Sequence, residues 1–303
     1  MANTFYTPAQ VASVALALVR GDLVLARTVN RDYEAGFGGG RGTVVNVRKP
    51  ATLNARKRSI GAGTAIQTDS ISESTVAVTM TDMIYSAVDL TDEDLSLNLE
   101  DFGRQVLAPQ VTAVAEEVED TVVAAFQALA ESAVAVAGSY SATNPTAQFV
   151  TLRQILRDRK VPATNLTAAV GTGVYADLLN SGALKGYDQS GSTDALRNAE
   201  VGKVHGFTII ESNRLAHDEI VAYHRDAFTL AIRAPRVPEG VSFGQSASGD
   251  GFAMRYIRDY DSSLLADRSV VSTFIGCQAM NMVEQGTGAT VVPAVRVLTS
   301  TTA

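Results

Sequence analysis

The sequence contains no tryptophan, one cysteine in 303 residues, eight prolines, and only 19% charged residues. A lone thiol, Cys277, excludes an internal disulfide and a cysteine-based zinc site, and it reads as a small buried hydrophobe rather than a nucleophile. The three histidines, His205, His217 and His224, show no i, i+4 pair and no carboxylate-rich ligand pattern, so neither metal binding nor histidine acid–base chemistry has a motif. The cluster "TDEDL" at 91–95 lacks the glycine and closing glutamate of a calcium loop and reads as a helix cap. There is no G-x-S-x-G elbow and no Walker sequence. No catalytic residue, cofactor site or metal site is therefore expected. The apolar run "VASVALALV" is far shorter than the ~20 residues of a membrane span, and no Lys or Arg precedes it, so neither a span nor a signal peptide is expected. A net charge of −7 argues against a protein that coats nucleic acid, which needs a broad basic face.

With 46% hydrophobic residues, the chain can bury a large core and divide into two or more domains. Near the start, Thr7, Pro8 and Gln10 signal a helix N-terminus. Val11, Val14, Ala15 and Leu18 follow on one face, which suggests a docking helix in an N-terminal arm. Then comes "GGGRGTVVNVRKPATLNARKRSIGAG" (38–63), with six basic residues, Arg41, Arg48, Lys49, Arg56, Lys57 and Arg58, and no acidic one. The alternating stretches "TVVNV" (43–47) and "STVAVTM" (74–80) read as the strands of one long hairpin. Folded back on itself, 43–80 could reach roughly 60 Å at about 3.3 Å per residue. An isolated hairpin is marginally stable, so it is expected to lie against something. From Asp69 to Asp120 there are thirteen acidic residues and one basic residue, Arg104. This segregation suggests self-complementarity, the basic loop of one copy meeting the acidic region of the next.

Within that acidic region, Val111, Val114, Val118, Val122, Ala125 and Leu129 recur at steps of three and four, with Glu116, Glu117, Glu119 and Asp120 outside the stripe. The pattern predicts one long helix, started or kinked at Pro109 and ended by Gly138, about 28 residues long. Its acidic face is assigned to contacts outside the subunit. Beyond the polar stretch 138–148, "FVTLRQILRDRKVP" predicts a helix ended by Pro162, "LTAAV" a buried strand and "GVYADLL" another helix. A Gly/Ser loop (180–202) is followed by strands in "KVHGFTIIESN", "IVAYHRDAFTLAIR" and "GFAMRYIRDYDSSLLADRSVVSTFIG". The fold class is mixed α+β. "GTGVYA" (171–176) matches the G-x-G-x-x-A dinucleotide fingerprint after a strand, but Asp188 and Asp194 lie in the Gly/Ser loop with no strand before them. A plain strand-to-helix turn accounts for the glycines.

The arm "NTFYTPAQVASVALALVRGDLVLARTVNRDYE", the loop opening "GTVVNVRKP", the helix "LEDFGRQVLAPQVTAVAEEVED", then "GKVHGFTIIESNRL" and "AYHRDAFTLAIR", in this order, resemble the major capsid proteins of tailed bacteriophages with the Hong Kong 97-type fold. The resemblance spans nearly the whole chain. It implies an N-terminal arm (1–35) that clasps a neighbour and an extended loop (36–80) over the adjacent subunit. It also implies a peripheral domain (81–147 and 251–276) with a spine helix at about 98–137, an axial domain (148–250) with 180–200 near the five- and six-fold centres, and a C-terminal segment (277–303). The implied function is structural, self-assembly through pentamers and hexamers into an icosahedral head shell enclosing double-stranded DNA without sequence-specific contacts, and not catalysis. The implied partners are further copies of the chain, a portal protein, a decoration or cement protein and, since the arm begins almost at Met1, a separate scaffolding protein. The expected location is the virion, assembled in the host cytoplasm, with no membrane. Some relatives crosslink a loop Lys to an Asn. Lys49 and Lys57 lie in the corresponding loop, but no acceptor is identifiable and the bond is not expected. The alternative is a nucleic-acid-binding module using the basic loop 41–58, although 38–63 has no aromatic residue for base stacking.

Overall fold

The structure, a computed structural model, describes residues 23–33, 44–49, 53, 55–58, 60, 65–66, 68, 74–93, 102–131, 140–181, 202–241, 243–249, 252–263, 265–283 and 290–299. The docking helix expected around 7–18, Arg41, and the loop residues 182–200 lie outside the described residues. In chain order the elements are β1 (Val44–Lys49), β2 (Ser74–Thr79), β3 (Asp82–Thr91), α1 (Ala108–Gln127), α2 (Thr146–Asp158), β4 (Leu166–Val170), α3 (Thr172–Asn180), β5 (Lys203–Val204), β6 (Phe207–Glu211) and β7 (Glu219–His224). They continue with β8 (Phe228–Arg233), β9 (Phe243–Gly249), β10 (Phe252–Asp261), β11 (Ala266–Ala279), β12 (Met282–Val283), β13 (Thr290–Val291) and β14 (Ala294–Leu298). The chain divides into two units, the first comprising Met1–Val45, Val78–Ala125 and Thr229–Gln278, the second Asn46–Ala77, Phe126–Phe228 and Ala279–Ala303.

Unit 1 is a helix on a sheet. Strands run in the order β3-β11-β10-β9, with β8 also paired to β11, and the ladders β3–β11, β11–β10 and β10–β9 are antiparallel. The apolar stripe of α1 explains its seat, because Val111, Val114, Val118 and Val122 are all buried. Gln110, at the head of that stripe, is buried too. Its amide donates to the Ser269 and Ser86 carbonyls at 2.9 and 3.3 Å and accepts from the Ser269 hydroxyl at 2.8 Å, so a polar side chain fixes the register of helix on sheet. A π-type stretch, Gly103–Leu107, leads into α1 beside Pro109, whose ring and missing N–H disturb the regular ladder. The helix ends at Gln127 and not at Gly138, and Glu131 already forms a backbone bridge to Arg296. Ala128 and Ala130 have high helical propensity, but propensity is a weak prior and the described residues 128–131 leave the helix. Residues 229–250, which the resemblance places in the axial region, lie in unit 1, because β8 and β9 hydrogen-bond into its sheet.

Cys277 sits on β11 with part of its surface open, yet its surroundings are close enough that burial pushes the thiol up to about 12. At pH 8 only about one thiol in ten thousand would then be thiolate, the reactive form. A maleimide reagent should leave the native protein unlabelled over minutes and label the urea-unfolded chain at once, as counted by mass spectrometry. Equal rates in the two states would contradict the burial.

Unit 2 carries a five-stranded sheet in the order β14-β7-β4-β6-β5, with β4 and β6 parallel and the other pairs antiparallel. One face is covered by α2 and α3, which contribute Phe149, Leu152, Leu156, Val174 and Leu178 to a core shared with Leu166, Ala168, Phe207, Ile220, Ala222 and Val295. Phe126 meets Tyr223 and Phe228 with centroids 4.9 and 4.7 Å apart. The helix expected to stop at Pro162 ends at Asp158, and Lys160 takes a left-handed backbone at φ 58°. At "GTGVYA", a Cβ on Gly171 would meet the Ala216 carbonyl oxygen at 1.9 Å, and one on Gly173 would meet the His217 ring at 2.1 Å. The amides that a pyrophosphate would need are already bonded, Gly171 N–H to the Glu219 carbonyl and Gly173 N–H to the His217 carbonyl. These glycines serve close packing of the 216–219 turn and not dinucleotide binding.

Candidate functional site

The expected hairpin forms, with β1 and β2 as a two-stranded sheet. Val47 and Val78 are buried, while Arg48, Arg56, Lys57 and Arg58 are exposed. Lys49 lies on β1, but its side chain, like all of Arg41, is outside the described residues. The loop also displays apolar groups, since Leu53, Ile60 and Ile66 are exposed, Ile66 at 77%. Basic and apolar side chains exposed together along the connection between β1 and β2 are suited to a second surface and not to solvent.

Unit 1 offers a surface of matching character. Residues directly opposite across a ladder share a face, so the pairs Met83–Phe274, Tyr85–Ser272, Ala87–Val270 and Asp89–Arg268 mark the side of the sheet facing away from α1. Tyr85 is 65% exposed and Met83 is exposed beside it. At one end Asp89 accepts from Arg268 at 2.6 and 3.2 Å, and this hydrogen-bonded guanidinium holds the Asp89 carboxyl below its ordinary value. The face is thus apolar in the middle and ionic at one end. The alternation in "DMIYSAVDLT" is a strand signal that the acidic-cluster reading passes over.

On α1, Glu116 and Glu117 are exposed and Asp120 partly so, which keeps them together as an acidic surface. Glu119 departs from the expected role. It is 7% exposed, and its carboxylate accepts the backbone N–H groups of Val24, Leu25 and Ala26 at 2.7, 2.9 and 3.1 Å. The segment 23–31 lies over this flank of the helix, with Leu23, Leu25, Ala26 and Val29 buried, Asn30 bridged to Thr229, and the Arg31 guanidinium 4.1 Å from the Phe252 ring centroid. Glu119 is therefore an internal anchor and no part of a surface offered outward. A signal exists in the sequence: Val123, one helical turn further on and also off the main stripe, is buried on the same flank.

A phage capsid protein family model matches residues 78–271, well over half of the chain. No curated protein matches the sequence. The structure from Mycobacterium phage Che8 superposes with a TM-score of 0.65 at 20% identity, covering 91% of this chain and 90% of that one. The capsid structure of the cyanophage P-SCSP1u gives 0.62 at 15%, covering 91% and 88%. The mature capsid of bacteriophage PhiM1 gives 0.58 at 14%, covering 98% and 87%. At such identities these likenesses show the fold, which is mixed α+β of the Hong Kong 97 type. Family match and fold agree, and the chain belongs to the phage capsid protein family.

Proposed function

We propose that this chain is the major capsid protein of a tailed phage, a structural protein that assembles through pentamers and hexamers into an icosahedral head shell around double-stranded DNA. The observation that carries the reading beyond the family is the pair of exposed surfaces: a β1–β2 connection displaying Leu53, Ile60 and Ile66 with Arg56, Lys57 and Arg58, and a sheet face displaying Met83 and Tyr85 with the Asp89–Arg268 pair at one end. In this reading the connection of one copy lies on the open sheet face of the next. Apolar contact gives the affinity and charge gives the register. Glu116, Glu117 and Asp120 form a second acidic surface for a neighbouring copy. Unit 1 corresponds to the peripheral domain and most of unit 2 to the axial domain. A scaffolding protein, a portal and a decoration protein are the further partners, with assembly in the host cytoplasm.

Site-directed crosslinking in a Cys277→Ser background tests the contact. In shells, an Ile60→Cys/Tyr85→Cys double variant should form intermolecular disulfides on mild oxidation and run as a ladder in non-reducing gels. Each single variant should not. A ladder from Ile60→Cys/Glu117→Cys instead would move the contact to the helix, and no ladder from either pair would remove the connection from the interface.

A further inference from the structure

Three successive backbone N–H groups that converge on one point make an anion-binding concavity. At the short 3-10 turn Leu25–Arg27 that point is filled by the Glu119 carboxylate, Oε1 taking the Val24 and Ala26 amides and Oε2 the Leu25 amide. These are amides at the start of a helical turn, which no intrahelical carbonyl can satisfy. Further along the segment, the Asn30–Thr229 bridge and the Leu230 N–H on the Asn30 carbonyl are ties between neutral backbone groups. By contrast, Val111, Val114 and Val118 of α1 are buried, and Gln110 bonds to Ser86 and Ser269 of the sheet and not to the segment 23–31.

We propose that Glu119 is a positioning residue for assembly, a carboxylate lock that pins residues 23–31 to the long helix. The lock is separable from the fold. Without the carboxylate three amides under a buried segment lose their acceptor, so the segment detaches locally while helix and sheet stay together. The consequence for assembly rests on the capsid reading above, whereas the lock itself is measurable on the free subunit.

Amide hydrogen exchange on the full-length Glu119→Gln and Glu119→Ala variants tests it. Glutamine keeps the shape but loses the charge and turns an N–H₂ toward the donors. In both variants exchange at residues 24–26 should accelerate about tenfold or more, with amides of 111–123 and 252–275 changing less than about threefold. Formate added to Glu119→Ala should restore protection at 24–26 by occupying the vacated concavity. Unchanged exchange at 24–26 would overturn the proposal. So would equal acceleration throughout unit 1, or a Glu119→Ala variant that fails to fold and is not rescued by formate, since the carboxylate would then belong to the core. If the lock holds and the shell reading is right, Glu119→Gln subunits remain folded but give malformed or fewer shells. Normal shells with a released segment would overturn the assembly role and leave the capsid reading standing.

Discussion

Replacing Glu219 with alanine is expected to destabilise unit 2 by about 3–5 kcal/mol, the range for removing one partner of a buried ion pair. Glu219 is fully buried on β7. Its Oε1 accepts from the Arg296 Nε at 2.5 Å, and its Oε2 accepts from the Ala216 N–H at 3.2 Å and the Gln127 amide at 3.5 Å. One carboxylate therefore joins β7, β14, the 216–219 turn and the end of α1. Its loss strands a largely buried guanidinium and an unpaired backbone amide. With a typical domain stability of 5–15 kcal/mol, this is a large share, and the melting temperature should fall by roughly 10 °C or more. The double variant Glu219→Ala/Arg296→Met should recover much of the loss, because an apolar pair carries no stranded charge. Thermal unfolding of the two variants decides the matter. A fall of less than about 1 kcal/mol for the single variant, or no recovery in the double, would show that the pair does not hold the sheet.

Reversing Arg56, Lys57 and Arg58 to glutamate is expected to cut shell yield about tenfold or more while leaving the subunit melting temperature within about 2 °C. All three are exposed, and surface substitutions usually shift stability by roughly 0.5 kcal/mol or less. Each exposed ion pair contributes at most about 1 kcal/mol, so simple deletion would cost little at one contact. Reversal adds repulsion against a neighbour's acidic surface, and a closed shell repeats the contact at every subunit. Shell yield by sedimentation, measured beside subunit melting and DNA retention in added salt, separates the outcomes. Normal shells with weaker, less salt-dependent DNA binding would favour the nucleic-acid reading of the loop. Normal shells with unchanged DNA binding would make the basic run a solvated surface.

The elements legible in the sequence are those set by local periodicity. The hairpin strands, the stripe on α1 and the strand-to-helix turn at Gly171 each follow from a pattern within about twenty residues, and each forms. What local pattern could not supply is the identity of the covering partner. Glu119 lies at the edge of an apolar stripe, and only a segment more than ninety residues away makes that edge an interior. Glu219 and Arg296 are 77 residues apart and reveal themselves as a pair only through the β7–β14 ladder. The membership of β8 and β9 in unit 1 likewise depends on pairing with strands downstream. The end of α1 at Gln127 coincides with long-range contacts, Phe126 on Tyr223 and the Glu131 bridge to Arg296, which no local pattern announces.

Whether copies of this chain close into a shell is read most simply by negative-stain microscopy of the protein expressed together with its neighbouring genes. Hollow particles of uniform diameter built from the 31.9 kDa chain are expected, accompanied by pentamers or hexamers in the soluble fraction. Monomers alone at high concentration, with a scaffolding protein present, would contradict shell closure.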